Sequence, residues 1–184
     1  MLQGKRVRLR ALDTPDLPYF VTWLNDPEVI EFLTIYQPLS LSQEVDWFQK
    51  ALSGPRDEIP LGIEVLVEGK WKLVGNISFH KVNWLDRSTE VGIFIGEKDC
   101  WNKGYGREAM QLMVQHAFDH LNMNRVFLRV YANNLRGIAS YRRVGFIEEG
   151  RLRQAVYKNG QYVDVLIMSI LHSEWNAVKD PKEV

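Results

Sequence analysis

The sequence predicts an α+β fold built on a mixed, mostly antiparallel β-sheet. Three observations lead to this prediction. Several segments alternate apolar and polar residues with a period of two, which is typical of half-buried strands. Other segments, above all Gly104 to Leu121, repeat apolar residues along one helical face. Near the end of the chain, Asn159-Gly160 is a favoured two-residue turn between apolar-rich segments, and it predicts a hairpin.

The N-terminal third of the chain is predicted to hold one strand and two helices. Arg6 to Leu12 alternates with period two and is expected to form the strand. Asp13 or Thr14 can cap the helix that follows. Ser40 and Gln43 have the spacing of a capping box, in which each side chain bonds the other residue's backbone N–H, and they predict the start of the second helix.

The rest of the chain is predicted to be richer in strands. Leu61 to Ile95 should hold three strands, with a turn at Glu68-Gly69-Lys70 and the last strand over Glu90 to Ile95. A polar loop, a helix, a strand and a second helix should follow over residues 96–103, 104–121, 125–131 and 134–144. Gly145 is expected to end the second of these helices.

Composition limits the class of protein. The chain has 184 residues, of which 46% are hydrophobic and 25% charged, and these values suit one globular domain. We expect this domain over residues 1–176, followed by a short polar tail over 177–184. Lys plus Arg equal Asp plus Glu at 23 each, so a dedicated nucleic-acid binder, which needs many cations to neutralise phosphates, is not expected.

The sequence also indicates a cytoplasmic location. Its first residues lack the continuous apolar run of a signal peptide, and no segment approaches the ~20 apolar residues that span a bilayer. We therefore expect no membrane partner. Cys100 is the single cysteine, which rules out an intrachain disulfide and suits a reducing compartment.

The stretch Trp101 to Ala109 is the first candidate for chemistry. Gly104 and Gly106 allow the backbone to turn tightly and to approach another group closely. They precede a helix whose first N–H groups have no partner within the helix and whose dipole is positive at this end, so the loop could hold a phosphate or pyrophosphate. The alternative is that the two glycines only relieve steric strain, and the loop residues alone leave both interpretations open.

Two other nucleotide motifs are excluded by their context. Gly104, Gly106 and Ala109 match the dinucleotide fingerprint, but that motif needs a strand running directly into the first glycine and an acidic residue about 20 positions later. Here an irregular stretch precedes Gly104, and the predicted strand Arg125 to Tyr131 contains no acid. A nucleotide P-loop is excluded because no Gly-Lys-Ser/Thr triplet follows.

A second candidate is the helix predicted to begin near Asn134. Asn134 and Tyr141 are two helical turns apart and therefore lie on one face. Tyr141 by itself fits a half-buried core tyrosine with its hydroxyl in water. The segment from Asn134 to Gly160 carries more bases than acids, which suits a polyphosphate ligand although such clusters are often solvated surface.

These two stretches, in this order, resemble the GCN5-related N-acetyltransferase (GNAT) superfamily, in particular its branch of ribosomal-protein (RimJ/RimL-like) and spermidine acetyltransferases. The coenzyme A loop of that family has Gln or Arg three positions before the first glycine, and a later Asn and Tyr-x-x-x-Gly-Phe follow. Here Asn134, Tyr141 and Gly145-Phe146 match, and Trp101 replaces the Gln or Arg. The resemblance implies about seven strands flanked by about four helices.

The resemblance also implies which residues bind acetyl-coenzyme A. Backbone amides of Asn102 to Arg107 would hold the pyrophosphate, a backbone N–H near Ile93 to Ile95 would polarise the thioester carbonyl, and Asn134 would bond the pantetheine arm or neighbouring backbone. The arm would lie where the strand Glu90 to Ile95 splays from the strand Arg125 to Tyr131. The implied cofactor-binding set comprises Ile93, Phe94, Ile95, Trp101, Asn102, Lys103, Gly104, Tyr105, Gly106, Arg107, Asn134, Tyr141 and Arg143, and no metal.

Acetyl transfer to an amine needs a base and an acid, because the amine must lose a proton and the leaving thiolate must gain one. Glu90 is the candidate base; the alternative is a surface glutamate at a strand end. Tyr141 matches the family position of the general acid. Cys100 needs no catalytic role, because direct transfer in a ternary complex forms no acyl-enzyme.

The resemblance implies an acetyl-coenzyme A-dependent N-acetyltransferase acting on a primary amine, whether a protein N-terminus, a polyamine or another small amine. Two alternatives stay open: a catalytically silent module that binds acyl-coenzyme A, and a protein-binding chain with structural glycines. Pro27 to Gly54 and Lys81 to Ser88 are expected to select the acceptor, which the sequence does not identify. A homodimer is compatible with this branch.

Overall fold

The computed structural model describes residues 1–179 and contains one mixed sheet of eight strands together with five helices. The strands are β1 Leu2–Gln3, β2 Val7–Ala11, β3 Leu61–Val67, β4 Lys70–Asn83, β5 Ser88–Ile95, β6 Arg125–Tyr131, β7 Ile147–Lys158 and β8 Gln161–Leu171. The helices are α1 Leu17–Leu24, α2 Leu41–Leu52, α3 Tyr105–Asp119, α4 Leu135–Val144 and α5 His172–Lys179. No described helix is long and apolar enough to span a membrane.

The order of hydrogen-bonded strands is β1-β2-β3-β4-β5-β6-β8-β7. The pairs β1–β2, β2–β3, β3–β4, β6–β8 and β7–β8 are antiparallel, and β5–β6 is parallel. The predicted α+β class with a mixed, mostly antiparallel sheet is therefore confirmed. The short strand β1 and the helix α5 were not predicted.

The described chain divides into two compact units. The first comprises Met1–Phe79 and Ile93–Leu112, and the second comprises His80–Gly92 and the chain from Met113 onward. A single domain over residues 1–176 stays a prediction. Of the predicted tail 177–184, residues 177–179 belong to α5, and 180–184 lie outside the described residues.

Helices α1 and α2 carry the hydrophobic core of the first unit. The ring of Phe20 meets Trp23 edge-on at 5.4 Å and Phe94 of β5 at 5.9 Å, measured between ring centroids. Gly96 is required where the chain leaves β5, because a Cβ there would stand 2.3 Å from the indole of Trp23. The same cluster includes Trp101, so aromatic packing reaches the predicted phosphate loop.

Strand β2 shows the predicted alternation. Val7 and Leu9 are fully buried on one face. On the other face, the Arg10 guanidinium bonds both oxygens of Asp16 at 2.7 and 2.8 Å, and its Nε donates to Glu64 at 2.8 Å. Since these groups pair with one another, the polar face of the strand forms an ion-pair network.

The capping box predicted for α2 is confirmed. The Gln43 N–H donates to the Ser40 hydroxyl at 3.2 Å, and the Ser40 N–H donates to the Gln43 side chain at 2.9 Å. Both bonds satisfy donors that have no partner at the start of a helix. The local sequence alone therefore determines where α2 begins.

The second unit is built around the long antiparallel pair β6–β8 and the hairpin β7–β8. Leu128 faces Met168 in the β6–β8 register, and both side chains are buried. The predicted hairpin turn is confirmed, since Asn159 and Gly160 have φ of 50° and 81°. Gly145 ends α4 in the left-handed region at φ 116°, as predicted.

One buried carboxyl of the first unit bears on stability. Glu44 on α2 is 2% exposed, and burial raises its pKa from the ordinary 4.5 to about 7. A carboxyl whose pKa is higher in the folded than in the unfolded state stabilises the fold while it is protonated. This contribution is complete below about pH 4.5 and is lost as the pH rises through about 7.

We therefore expect Glu44→Gln to change how stability depends on pH. Between about pH 4.5 and about pH 8, the free energy of unfolding of the native protein should fall by about 1–3 kcal/mol more than that of the variant. Urea unfolding at the two pH values measures this difference, and any pH-independent cost of the amide cancels. Asp46→Asn, an exposed carboxyl on the same helix, is the control. Equal pH dependence in the native protein and Glu44→Gln would contradict the assignment.

Candidate active site

The loop between β5 and α3 is attached to the end of β5 by a side chain. The Trp101 indole N–H donates to the Ile95 carbonyl at 2.8 Å. A short 3-10 turn, Lys98–Cys100, precedes it and buries the Cys100 thiol. Trp101 thus packs in the core and bonds the neighbouring strand, so the position where the family has Gln or Arg has a structural contact here.

The backbone then passes through two left-handed residues into α3. Asn102 has φ 61° and Gly104 has φ 83°. The first bond of the helix runs from the Glu108 N–H to the Gly104 carbonyl at 3.1 Å. Within residues 1–179, no group accepts a hydrogen bond from the backbone amides of Asn102 through Arg107. Free amides at the positive end of a helix fit a phosphate.

Cationic side chains surround this turn. A Cβ built on Gly104 would stand 3.4 Å from Nη2 of Arg6 and 3.7 Å from Nη2 of Arg107. Lys103 and Arg107 are exposed, and no described residue contacts the Lys103 ammonium. The turn is thus bordered by cations, and this charge favours an anionic ligand.

The side chains at the end of β5 serve packing. The ring of Phe94 packs against Phe20 and Trp23 in the aromatic core. Ile95 faces the start of α3, where a Cβ on Gly106 would lie 3.6 Å from its Cγ1. Ile93, Phe94 and Ile95 are half-buried, in keeping with a role through main-chain groups.

Glu90, the candidate base, is neither at a strand end nor on the surface. It is the third residue of β5 and is 8% exposed. Its carboxylate accepts from Arg129 Nε at 2.8 Å and Nη2 at 3.3 Å, and Lys81 Nζ lies 3.5 Å from Oε2. Glu90 is therefore a carboxylate held between two cations.

Pairing between β5 and β6 covers three residues, Ser88–Glu90 against Arg125–Phe127. Strand β6 continues to pair with β8 as far as Tyr131. Glu90 thus stands at the last pair of the parallel ladder, opposite Phe127.

Tyr141, the candidate acid, lies in α4 with its ring 6.1 Å from that of Phe146. Burial raises the pKa of its phenol to about 12, and the charge of Arg136 partly opposes this shift. Its hydroxyl therefore keeps its proton at every physiological pH. A phenol that stays protonated at neutral pH can donate a hydrogen bond or a proton to an anion held beside it, such as an alkylthiolate.

Asn134 acts as the N-cap of α4. Its side-chain oxygen accepts from the Gly137 N–H at 2.9 Å, so the bond to neighbouring backbone that we expected is present. Its side-chain nitrogen has no partner among the described residues and is free to donate. Arg143, on the same helix, is exposed, and no described group pairs with it.

The two units hold different parts of the predicted site. The first contains Ile93–Ile95 and the loop 101–107, and the second contains Glu90, Asn134, Tyr141 and Arg143. Sequence reasoning did not identify the ionic partners Arg129 and Lys81, or Arg6 beside the glycine turn. The alternation of β6, with Leu128 and Val130 inward, placed Arg129 on the opposite face but gave no indication of its partner.

Comparisons with known proteins agree with this geometry. Residues 6–147 match the family model described as the acetyltransferase (GNAT) domain. The spermidine N(1)-acetyltransferase of Vibrio cholerae is 28% identical over 94% of this chain and 96% of its own length. The uncharacterized N-acetyltransferase p20 of Bacillus licheniformis is 26% identical over 95% of this chain and 97% of its own length.

Solved structures show the same likeness. A crystal structure of the Vibrio cholerae spermidine N-acetyltransferase in complex with coenzyme A and spermine superposes with a TM-score of 0.83. The match has 26% identity and covers 94% of this chain and 99% of the other. Since the family model spans well over half of the sequence, and the fold and the glycine loop agree with it, this chain belongs to the GNAT family of N-acetyltransferases.

Proposed function

We propose that this enzyme, an N-acetyltransferase that uses acetyl-coenzyme A, acetylates a primary amine of a polyamine-like small molecule. The observation that supports it most directly is the run of free backbone amides from Asn102 to Arg107 at the start of α3. These donors need an anionic acceptor, and the pyrophosphate of the cosubstrate supplies one.

The remaining contacts to the cosubstrate are proposed from groups that are free to make them. The Asn134 side-chain nitrogen can donate to an amide oxygen of the pantetheine arm. A backbone N–H near Ile93 to Ile95 would stabilise the oxyanion that forms at the thioester carbonyl. One such donor contributes about 2.7–4 kcal/mol in a well-studied hydrolase.

Direct transfer follows from these groups. The neutral amine attacks the carbonyl carbon, the carbon–sulfur bond breaks, and the amide forms. Glu90, directly or through a water, takes the proton that the amine nitrogen must lose. Tyr141 gives its phenolic proton to the leaving thiolate, because its hydroxyl is the protonated form at neutral pH.

The acceptor class is proposed from two lines of support. The similar proteins of nearly equal length include spermidine acetyltransferases, one of them seen with spermine. In the first unit of this chain, the segment expected to select the acceptor carries exposed carboxylates at Glu31 and Asp46. Carboxylates attract a polycation, whereas a peptide N-terminus carries a single amine.

An acceptor panel tests the proposal. With acetyl-coenzyme A, release of coenzyme A thiol should be at least about 10-fold faster, as kcat/KM, with spermidine or spermine than with N-terminal peptides, because several ammonium groups add ionic contacts. Mass spectrometry of the acetylated amine checks the product. If peptides were turned over faster than polyamines, the proposed acceptor would be a protein N-terminus and not a polyamine. Tight coenzyme A binding without turnover on any amine would indicate the silent module.

Tyr141→Phe tests the acid. Because only the proton donor is lost, kcat should fall by about 100-fold or more while the Kd for coenzyme A changes by less than about 3-fold. The pKa of about 12 adds a second expectation: kcat of the native enzyme should show no decline from this residue below about pH 11. Equal losses in kcat and affinity, or no loss, would contradict the acid role.

Glu90→Gln tests the base. The variant should lose about 100-fold in kcat near pH 7, where an alkyl amine with a pKa of about 10 is almost fully protonated. The deficit should shrink as the pH approaches 10, because the amine then loses its proton to solvent. Glu148→Gln, an exposed carboxyl of the same unit, is the control. A deficit that does not change with pH would make Glu90 a structural partner of Arg129.

A further inference from the structure

Arg6 directly precedes β2 and reaches the glycine turn of the first unit. Its guanidinium carbon lies 5.1 Å from the centre of the Tyr105 ring, a cation–π contact. Its Nη2 is 3.4 Å from the point where a Cβ on Gly104 would stand. Half of its side chain is exposed to solvent. The guanidinium is therefore positioned at the turn and still accessible to a ligand.

Glu108 holds the backbone at Arg6 and Val7 in place. Its Oε1 accepts from the backbone N–H of Arg6 at 2.7 Å and of Val7 at 3.1 Å. Its Oε2 is 3.5 Å from Arg6 Nε. Arg6, which is far from α3 in the sequence, is thereby fixed against the first turn of this helix and stays beside the loop amides.

The charges at this place do not balance. Arg6 and Arg107 approach the same point at Gly104, and within the described chain Arg107 has no ion-pair partner. Glu108 carries a negative charge in the first turn of α3, where it would repel a phosphate if it stood alone. Arg6 offsets that charge and presents a second nitrogen to the turn, so the net field at Gly104 is positive.

We propose that Arg6 is a coenzyme A-binding residue whose guanidinium, together with Arg107, contacts the pyrophosphate held by the loop amides. The inference rests on the proposed function, because the anion is the cosubstrate. Arg6 has two roles in it: it donates to a phosphate oxygen, and it neutralises Glu108 so that the helix terminus accepts an anion. Neither role is visible in the glycine motif, since Arg6 lies outside it.

The test is titration calorimetry with coenzyme A on the full chain. Arg6→Ala should raise the Kd about 10-fold, the effect of one charge-assisted hydrogen bond. Lys5→Ala removes the same charge from the neighbouring residue and should change the Kd by less than about 2-fold. Arg6→Lys should fall between the native protein and Arg6→Ala, because it keeps the charge but loses the planar fork. If Lys5→Ala and Arg6→Ala lost the same affinity for coenzyme A, net charge alone would explain the effect and the proposal would be overturned.

Dephospho-coenzyme A, which lacks the 3′-phosphate but keeps the pyrophosphate, identifies the phosphate involved. We expect the same fold loss in Arg6→Ala with this ligand as with coenzyme A. A loss that disappears with dephospho-coenzyme A would overturn the assignment to the pyrophosphate. If the native protein bound neither ligand, the proposed function would be refuted. If the native protein bound coenzyme A and Arg6→Ala bound it with the same Kd, only the role of Arg6 would be refuted.

A rescue experiment separates the binding role from a structural one. In Arg6→Ala, the Glu108 carboxylate is left without its counter-ion beside the phosphate. Adding Glu108→Gln, which keeps an oxygen for the two backbone N–H groups, should recover part of the lost affinity. If Arg6 only stabilised the fold, adding Glu108→Gln would recover none of the affinity. Thermal unfolding would then show Arg6→Ala and the double variant equally destabilised.

Discussion

The hydrogen bond between the Trp101 indole and the Ile95 carbonyl determines where the loop begins, and the rest of the site depends on it. It joins the end of β5 to the chain that leads into α3. From there the backbone is left-handed at Asn102 and Gly104, and the amides of the loop have no acceptor within residues 1–179. Donors left free at the start of a helix fit a phosphate, so this part of the fold offers a place for an anion.

Two carboxylates near the predicted site residues have an arginine partner. Glu90 is held by Arg129, and Glu108 is held by Arg6. A buried or semi-buried carboxylate without a cation would either take up a proton or repel an anionic ligand. Each of these two carboxylates thus has a cationic partner within its own unit. In α2 the opposite case occurs, since burial without a cation raises the pKa of Glu44 to about 7.

Burial gives Tyr141 its chemical character. In water a phenol is already a weak acid, and the environment of α4 weakens it further by disfavouring the phenolate. Such a group keeps its proton throughout the neutral pH range and is therefore available there as a hydrogen-bond and proton donor. The residue type came from the sequence motif, but the protonation state is a property of the packing around it.

Features that depend on near neighbours were determined by the sequence alone. The capping box of Ser40 and Gln43, the turn at Asn159-Gly160 and the helix end at Gly145 each involve residues a few positions apart, and a short stretch of chain specifies them. The family resemblance rests on two such stretches taken together, the glycine loop and the later segment from Asn134 to Phe146. The tertiary structure decided which distant charges meet: Arg129 with Glu90, and Arg6 with Glu108. No periodicity encodes those pairs, because they form only when separate strands and helices pack together.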